Sequence, residues 1–245
     1  MFTVVYNGEY ERVLLRDVFA NTMEKLLKLD DQVVYLDADL MNAFSTLRLA
    51  REYPDRAIDC GVQEANMVGI AAGMSAIGKK PYVHTFGSFA GRRCFDQVFL
   101  SVGYAKNSVR IIGSDAGISS AYNGGTHMPF EDVALYRTIP GAAIFDIVDS
   151  VQLEDVLLKT KDRPGVTYIR KIRKKAVGVY GPGSQFEIGR ANVLRDGTDV
   201  TIIACGIMVA EALKAAKILE EQGISAAVID IVTIKPIDEE TVLEY

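Results

Sequence analysis

The sequence predicts an α/β fold whose first domain is a doubly wound, mostly parallel sheet. Short apolar runs rich in β-branched residues alternate with segments of helical periodicity along the 245 residues, a pattern typical of sheets with helices on both faces. The runs lack polar alternation, as expected for parallel strands that are covered on both sides. A shorter α/β segment follows a stretch rich in glycine and proline. We therefore expect one large domain and the start of a second.

The first domain should contain six strands and at least three helices. Apolar residues at helical spacing from Val13 to Leu27 predict the first helix. The strands are expected at residues 33–36, 57–60, 81–85, 109–113, 143–147 and 166–170. Asp149 or Ser150 should cap a helix over residues 151–160, because short polar side chains accept hydrogen bonds from the free amides of a helix start.

A domain boundary is predicted at residues 172–185, where Gly178-Val-Tyr-Gly-Pro-Gly-Ser184 disfavours regular structure. The domains are then residues 1–171 and 186–245. In the second, strands are expected at 200–205 and 226–231, a helix at 208–222 and a helix start at Asp238. So few strands are not enough for a complete sheet, and we expect this domain to be incomplete. The basic run over residues 171–175 is typical of a solvated linker.

Composition and charge narrow the class of protein. Apolar residues make up 49% of the chain and charged residues 24%, and the net charge of −5 gives no support to electrostatic nucleic-acid binding. No apolar run approaches the roughly 18 residues of a membrane span, and the N-terminus lacks a signal-peptide pattern. The three cysteines have no metal-ligand spacing. We expect a cytoplasmic protein with free thiols and no metal ligands of its own.

Glu64 is the first candidate for chemistry. It lies in the first turn of a helix, expected from about residue 62, that is apolar nearly all round and should therefore be buried. The carboxylate could simply complement the helix dipole. Alternatively, it is a desolvated group suited to exchanging or sharing a proton.

Two further segments follow predicted strands, where parallel sheets place their sites. Phe86 and Phe89 stand three residues apart, a spacing typical of a core, but small residues around them leave room for a flat ligand. His127 lies in a long loop rich in glycine and serine, within Gly124-Gly-Thr-His-Met-Pro129. Histidine titrates near neutrality, so His127 is a candidate for contacting a ligand.

Together these segments resemble the pyrimidine-binding domain of transketolases and, less closely, deoxyxylulose-phosphate synthases. The resemblance is carried by residues 37–40, 61–67, 85–89 and 124–131, and residues 186–238 are similar to the opening of the family's C-terminal domain. It implies a thiamine diphosphate-dependent transferase of carbohydrate metabolism, which moves a two-carbon ketol unit between sugar phosphates.

The resemblance also implies roles for single residues. Glu64 would hydrogen-bond the ring nitrogen of the cofactor's aminopyrimidine and so promote activation of the thiazolium. Phe86 and Phe89 would pack against the pyrimidine, and Asp39 would lie near the cofactor in the cleft. His127 would stand beside the reacting centre. In such enzymes the cofactor performs the organic chemistry and the protein controls geometry and protons.

For the substrate, the resemblance implies that Arg16 and Arg170 grip a sugar phosphate, a task suited to a guanidinium fork. His127 would take part in substrate binding as well. Asp115 and Asn123 occupy substrate-binding positions where the family has histidine and aspartate.

Two more departures concern the same cleft. Ala43 stands in place of a phosphate-contacting serine, and Arg92 in place of a third aromatic of the ring platform. These changes leave the sugar specificity open and affect the cofactor assignment little.

A missing motif has a consequence for assembly. In this family a separate domain carrying Gly-Asp-Gly holds the diphosphate and Mg²⁺ (or Ca²⁺), and this sequence contains no Gly-Asp-Gly. The resemblance therefore implies an N-terminal diphosphate-binding partner subunit, an α2β2 oligomer and a chain that is inactive alone.

Other interpretations stay open. The β chain of a 2-oxoacid dehydrogenase usually has a different sequence around the glutamate, and a deoxyxylulose-phosphate synthase-like enzyme is close to the same pattern. A non-catalytic scaffold or regulatory homologue would not need Glu64. A generic nucleotide-binding protein would need a turn such as G-x-G-x-x-G, which this sequence lacks.

Overall fold

A seven-stranded sheet forms the main layer of the computed structural model, which describes residues 1–245. The strands are β1 (Val33–Asp37), β2 (Ala57–Asp59), β3 (Lys80–Phe86), β4 (Val109–Ser114), β5 (Ala143–Asp146), β6 (Val166–Lys171), β7 (Asn192–Arg195), β8 (Val200–Ala204), β9 (Ala226–Asp230) and β10 (Thr233–Lys235). The large sheet has the order β10-β5-β6-β4-β3-β1-β2. All its pairs are parallel except β10 with β5. The six strands predicted for the first domain are confirmed.

Nine α-helices accompany the strands. They are α1 (Leu15–Leu29), α2 (Leu47–Glu52), α3 (Glu64–Ala76), α4 (Gly87–Arg92), α5 (Phe95–Gln97), α6 (Asp132–Arg137), α7 (Ser150–Lys159), α8 (Met208–Glu220) and α9 (Glu239–Glu244). A π-helical segment, Val98–Tyr104, continues α5. Asp149 caps α7, since its carboxylate accepts the Gln152 amide at 3.0 Å. None of the helices combines the length and apolar character needed to cross a bilayer.

Both faces of the large sheet are covered. One buried cluster packs the sheet against α1 and α7, and a second packs it against α3, α4 and the π-helical segment. Strands β1, β3, β4 and β5 are buried along nearly their whole length, which explains why they lack polar alternation. The carboxyl ends of these strands and the loops beyond them carry the polar side chains of the candidate site.

The C-terminal residues form a three-stranded sheet of order β7-β9-β8, with α8 packed on it. Strands β8 and β9 and helix α8 match the predictions, whereas β7 and β10 were not predicted. Strand β10 leaves this small sheet and pairs antiparallel with β5 at the edge of the large one. The two parts of the chain are thus joined by hydrogen bonds between strands.

The solvated-linker prediction is wrong at its first residue. Lys171 ends β6 and is fully buried, while Lys174 and Lys175 are exposed. The pleat of a strand sends successive side chains to opposite faces. The ammonium of Lys171 therefore faces the α1 side of the sheet although its neighbours in sequence continue a basic run.

Helix α3 is only half covered in this chain, so the expectation of a fully buried helix is wrong here. Met67, Val68, Ala71 and Ala72 are buried against the sheet. The opposite face, which includes Ile70 at 37% exposure, is open. The helix starts at Glu64, with the carboxylate on its covered side.

Candidate active site

The three segments singled out in the sequence meet at the carboxyl ends of β3 and β4. Phe86 ends β3, Phe89 lies in α4 directly after it, and His127 lies in the loop between β4 and α6. Glu64 approaches from the first turn of α3. Because β3 and β4 are neighbouring parallel strands, the loops that follow them emerge at one edge of the sheet.

Phe86, Phe89 and His127 form a cluster of three rings. Their centroids are 5.9 Å apart for the two phenylalanines, and 5.4 and 5.2 Å from His127 to Phe86 and Phe89. All three pairs meet edge to face, a favourable geometry for aromatic rings. Thr126 Oγ1 lies 2.8 Å from His127 Nδ1 and orients the imidazole.

Gly87 allows the loop to approach the rings. A Cβ on Gly87 would lie 2.9 Å from Pro129 Cγ, closer than real Cβ atoms come, and 3.3 Å from the carbonyl oxygen of Ser114, which is a tight contact. Pro129 therefore packs directly on the backbone between Phe86 and Phe89. This contact places the His127 loop over the ring cluster.

Arg92 holds the same loop from the other side. Its guanidinium donates to the carbonyl oxygens of Gly125 and Met128 at 3.1 Å each, and pairs with the Glu131 carboxylate. The residue that replaces an aromatic of the family pattern thus fastens the histidine loop. Its role could not be inferred from the sequence, because its partners lie 33 to 39 residues away.

Glu64 is almost fully buried, with 1% of its surface exposed. Its carboxylate accepts the Thr85 hydroxyl at 3.1 Å and the Arg93 Nη1 at 2.9 and 3.1 Å. The desolvation expected for the Glu64 carboxylate is confirmed, although the opposite face of the helix is open. Arg93 was missed as a partner, because only the fold brings it next to Glu64. The contact between its guanidinium and the carboxylate is a charge-assisted hydrogen bond.

Arg93 also links Glu64 to the rings. Its guanidinium carbon lies 4.1 Å from the centre of the Phe89 ring, a cation–π contact. The Arg93 side chain is 42% exposed, so it can move without disturbing the core. Carboxylate, guanidinium and ring therefore form one continuous surface at the start of α3.

Asp39 lies in the loop after β1 and is exposed. Its backbone adopts a left-handed conformation, with φ at 63°, and its amide donates to the Asp59 carboxylate at 2.9 Å. Asp39 follows β1 and Asp59 ends the neighbouring parallel strand β2, so the loop is held at the same edge of the sheet as the ring cluster.

Two of the substrate-binding candidates, Asp115 and Asn123, differ in burial. Asp115 is buried, accepts the Ser120 hydroxyl at 2.6 Å and pairs with Arg173 at 3.2 Å. Asn123 is exposed in a 3-10 turn, Ala121–Asn123. The two residues therefore do not share one contact surface in this chain.

Arg16 and Arg173 lie close together around the segment Ala43–Phe44. Arg16 Nη1 donates to the Ala43 carbonyl oxygen at 3.4 Å, and the Arg16 amide donates to the Arg173 carbonyl oxygen at 3.2 Å. The Arg173 guanidinium lies 5.9 Å from the Phe44 ring and 5.6 Å from the Phe86 ring. Arg173 thus stands next to the ring cluster, and Arg16 lies beside the same segment. Arg173 was not among the predicted site residues.

Arg170 occupies a different position. Its Nε donates to Asp132 at 2.9 Å and its Nη1 to Asp146 at 2.8 Å. Burial raises the pKa of Asp146, and the Arg170 charge opposes that effect. Arg170 therefore serves as the partner of two buried carboxylates.

A row of buried polar side chains crosses four strands beneath Phe44. Asp37 on β1 accepts from His84 Nδ1 on β3 at 2.9 Å, and His84 Nε2 lies 2.7 Å from Ser114 Oγ on β4. Lys171 on β6 pairs in register with Ser114. Burial lowers the pKa of His84, so the imidazole is neutral and donates from Nδ1 while Nε2 accepts the serine proton. This row was not predicted, because its members come from four separate strands.

The chain matches two family models in sequence order. Residues 11–177 match "Transketolase, pyrimidine binding domain" and residues 189–245 match "Transketolase, C-terminal domain". The first match alone covers well over half of the chain.

Curated relatives agree with these matches. The chain is 50% identical over 238 residues to the "6-deoxy-6-sulfo-D-fructose transketolase subunit SqwH" of Clostridium sp. (strain MSTE9), covering 97% of this chain and 74% of that protein. It is 35% identical over 231 residues to a subunit of the apulose-4-phosphate transketolase of Phocaeicola vulgatus (strain ATCC 8482), covering 94% of this chain and 74% of that protein.

A solved structure has the same fold. The protein described as "Split gene transketolase, inactive beta4 tetramer" superposes with a TM-score of 0.87 at 38% identity, covering 95% of this chain and 76% of that one. The doubly wound sheet, the order of the two domains and the similarity to these relatives all indicate the same family. This chain belongs to the transketolase family.

Proposed function

We propose that this chain is the pyrimidine-binding subunit of a split, thiamine diphosphate-dependent transketolase that transfers a two-carbon ketol unit. The observation that carries the proposal is the buried Glu64 carboxylate at the start of α3, joined through Arg93 to the ring cluster of Phe86, Phe89 and His127. A buried carboxylate beside aromatic faces is the arrangement that an aminopyrimidine requires.

The residues present fit that cofactor. Phe86 and Phe89 offer apolar rings for a flat heterocycle, and Glu64 offers a carboxylate that can hydrogen-bond a ring nitrogen. When bound, thiamine diphosphate supplies the nucleophilic carbon for ketol transfer. Glu64 holds the proton shared with the pyrimidine ring, Asp39 borders the cofactor, and His127 hydrogen-bonds the reacting substrate from above the rings. Exposed Arg93 must turn aside from Glu64 and Phe89 for the ring to bind.

The cations around Ala43–Phe44 indicate the substrate class. Both curated relatives above are named for sugars with an acidic group, a sulfo group in one and a phosphate in the other. Arg173 stands beside the ring cluster and Arg16 contacts the segment Ala43–Phe44, and both suit a terminal phosphate or sulfonate. We assign the second anion-binding arginine to Arg173, because the donors of Arg170 are engaged by Asp132 and Asp146. Asp115 orients Arg173, and Asn123 borders the entrance.

A partner subunit completes the site in this proposal. The chain contains no Gly-Asp-Gly, and its site residues offer contacts for the pyrimidine and the sugar but not for a diphosphate. The partner, an N-terminal diphosphate-binding transketolase chain, would hold the diphosphate with Mg²⁺ or Ca²⁺. An α2β2 complex would then carry the cofactor between subunits.

Glu64→Gln tests the proposed role. The amide keeps the size of the side chain but cannot share a proton as a carboxylic acid does, so we expect exchange of the cofactor C2 proton to fall by about 10²–10⁴-fold in the reconstituted complex. NMR of the exchanging proton is the measurement. Glu52→Gln, at an exposed glutamate in α2, is the matched control and should exchange as the wild type does. Wild-type exchange in Glu64→Gln would refute the role.

A further inference from the structure

Lys171 has a buried amine without a hydrogen-bond partner. Its Nζ is fully buried at the end of β6 and lies 4.8 Å from the Phe19 ring and 4.7 Å from the Phe44 ring. Aromatic faces attract an ammonium group, but they do not replace the hydrogen bonds that it makes in water. Burial accordingly lowers the pKa of Lys171 to about 7.

The titratable groups around Lys171 are engaged elsewhere. They come from every packed element: Asp37 and Tyr35 on β1, His84 on β3, Asp115 after β4, Arg173 after β6 and Arg16 on α1. The Asp37 carboxylate accepts from Tyr35 and His84, and the Asp115 carboxylate accepts from Ser120 and Arg173. Neither carboxylate hydrogen-bonds the Lys171 amine, whose Nζ has no partner.

Three cations surround the segment Ala43–Phe44. Arg16 contacts the Ala43 carbonyl oxygen, while Lys171 and Arg173 both contact the Phe44 ring. Asp17 lies 3.7 Å from Arg16 and Asp115 lies 3.2 Å from Arg173, so two of the cations have a paired carboxylate. Asp37 acts on Lys171 only through its charge, and Lys171 is the one cation of the three without a hydrogen-bonded or ion-paired partner.

We propose that Lys171 is the proton-dependent cation of the anion site, so that binding of a terminal phosphate or sulfonate at Arg16 and Arg173 is accompanied by protonation of Lys171 from solvent. This inference rests on the proposed function, which places the anion there. The bound anion adds negative charge near the buried ammonium and so favours its protonated form. By linkage, the affinity for the anion falls as pH rises through the range in which the free amine loses its proton.

Inorganic sulfate is the probe, because its charge stays constant across this pH range. Titration calorimetry with the full chain, in two buffers of different protonation enthalpy, reports both affinity and proton uptake. From about pH 6 to about pH 9 we expect the sulfate affinity to fall about tenfold, with net proton uptake on binding in the upper half of the range.

Three variants separate charge from structure. Lys171→Met removes the charge at similar volume and should bind sulfate weakly, with no pH dependence across the upper half of the range and no proton uptake there. Lys171→Arg keeps the charge at every pH and should bind tightly and independently of pH over the same interval. Lys175→Met, at an exposed lysine of the same basic run, should behave as the wild type does. His127, the histidine of the ring cluster, is unchanged in all three variants.

Arg173→Met distinguishes this inference from the proposed function beneath it. Wild-type sulfate binding in Arg173→Met, or no sulfate binding by the wild type at about pH 6, would overturn the anion site and this inference with it. Arg173-dependent binding whose affinity does not change with pH would overturn the role of Lys171 alone. Proton uptake that persists in Lys171→Met would also overturn the role of Lys171 and leave the anion site standing.

Discussion

At the scale of single residues, the site depends on how buried charges are paired. Glu64 is held by Thr85 and Arg93, Asp115 by Ser120 and Arg173, and each carboxylate has a cation at its exposed side. Such pairs cost desolvation energy, and removal of one partner leaves the other charge unmatched. The consequences of substitution therefore depend on which partner remains.

The ion pair of Glu64 and Arg93 can be measured by a double-mutant cycle. Arg93→Met should lower the free energy of unfolding by about 1 kcal/mol, a small value for a buried pair because Arg93 is partly exposed and screened by solvent. In the Glu64→Gln background, Arg93→Met should lower the free energy of unfolding by a smaller amount. Chemical denaturation of the four proteins gives the coupling energy, and strictly additive effects would contradict the pairing.

Lys171 should give the stability of the chain a pH dependence of defined sign. Its pKa is about 7 in the fold and about 10.4 in the unfolded chain, so between these values the unfolded state binds more protons and stability rises with pH. Lys171 alone can raise the free energy of unfolding by at most about 1.4 kcal/mol per pH unit.

Lys171→Met should therefore be more stable than the wild type at about pH 6, and the difference should shrink as pH rises toward 9. Denaturation in sulfate-free buffer at several pH values is the measurement, with Lys175→Met as control. Parallel curves for wild type and Lys171→Met would show that the amine is not the source of the slope.

At the scale of elements, the site depends on how closely two loops approach each other. The turn from β3 into α4 carries both phenylalanines, and the loop from β4 to α6 carries His127. Gly87 and Pro129 are in contact between them, and Arg92 holds the same loop by its carbonyl oxygens. Neither loop alone specifies where the histidine ring lies.

Gly87→Ala should disturb this contact. The added methyl group meets Pro129 and the Ser114 carbonyl oxygen, so the loop must shift and carry His127 away from the rings. We expect kcat/KM of the reconstituted complex to fall about tenfold or more, with a loss of stability of about 1–3 kcal/mol. Gly125→Ala in the same loop meets no atom within 4 Å and is the control. Equal activity of the two variants would contradict the role of the contact.

At the scale of the whole molecule, the two parts of the chain are joined by strand pairing and by contacts near Asp146. Strand β10 lies beside β5, and the Gly206 amide donates to the Asp146 carbonyl oxygen at 3.2 Å. The C-terminal part thus supports the edge of the sheet next to Arg170. The proposed cofactor site lies at the carboxyl ends of the inner strands, away from that edge.

The isolated chain should bind thiamine diphosphate weakly or not at all, without dependence on Mg²⁺. It offers rings and a carboxylate for the pyrimidine, whereas the proposal assigns the diphosphate and metal to the partner. Calorimetry with the chain alone, with and without Mg²⁺, and then with the partner added, is the test. Tight Mg²⁺-dependent binding by the chain alone would contradict a split enzyme.

The sequence alone determined the six strands of the first domain, the order of the motifs and the position of Glu64 at a helix start, because these depend on local apolar periodicity and on residues close together in the chain. The tertiary structure decided the pairs of charged and polar groups. Asp37 and His84 are 47 residues apart, and Glu64 and Arg93 are 29 apart. Strand order and register bring them together. Lys171 and Arg170 differ for the same reason: adjacent in a strand, they face opposite sides of the sheet and meet different partners.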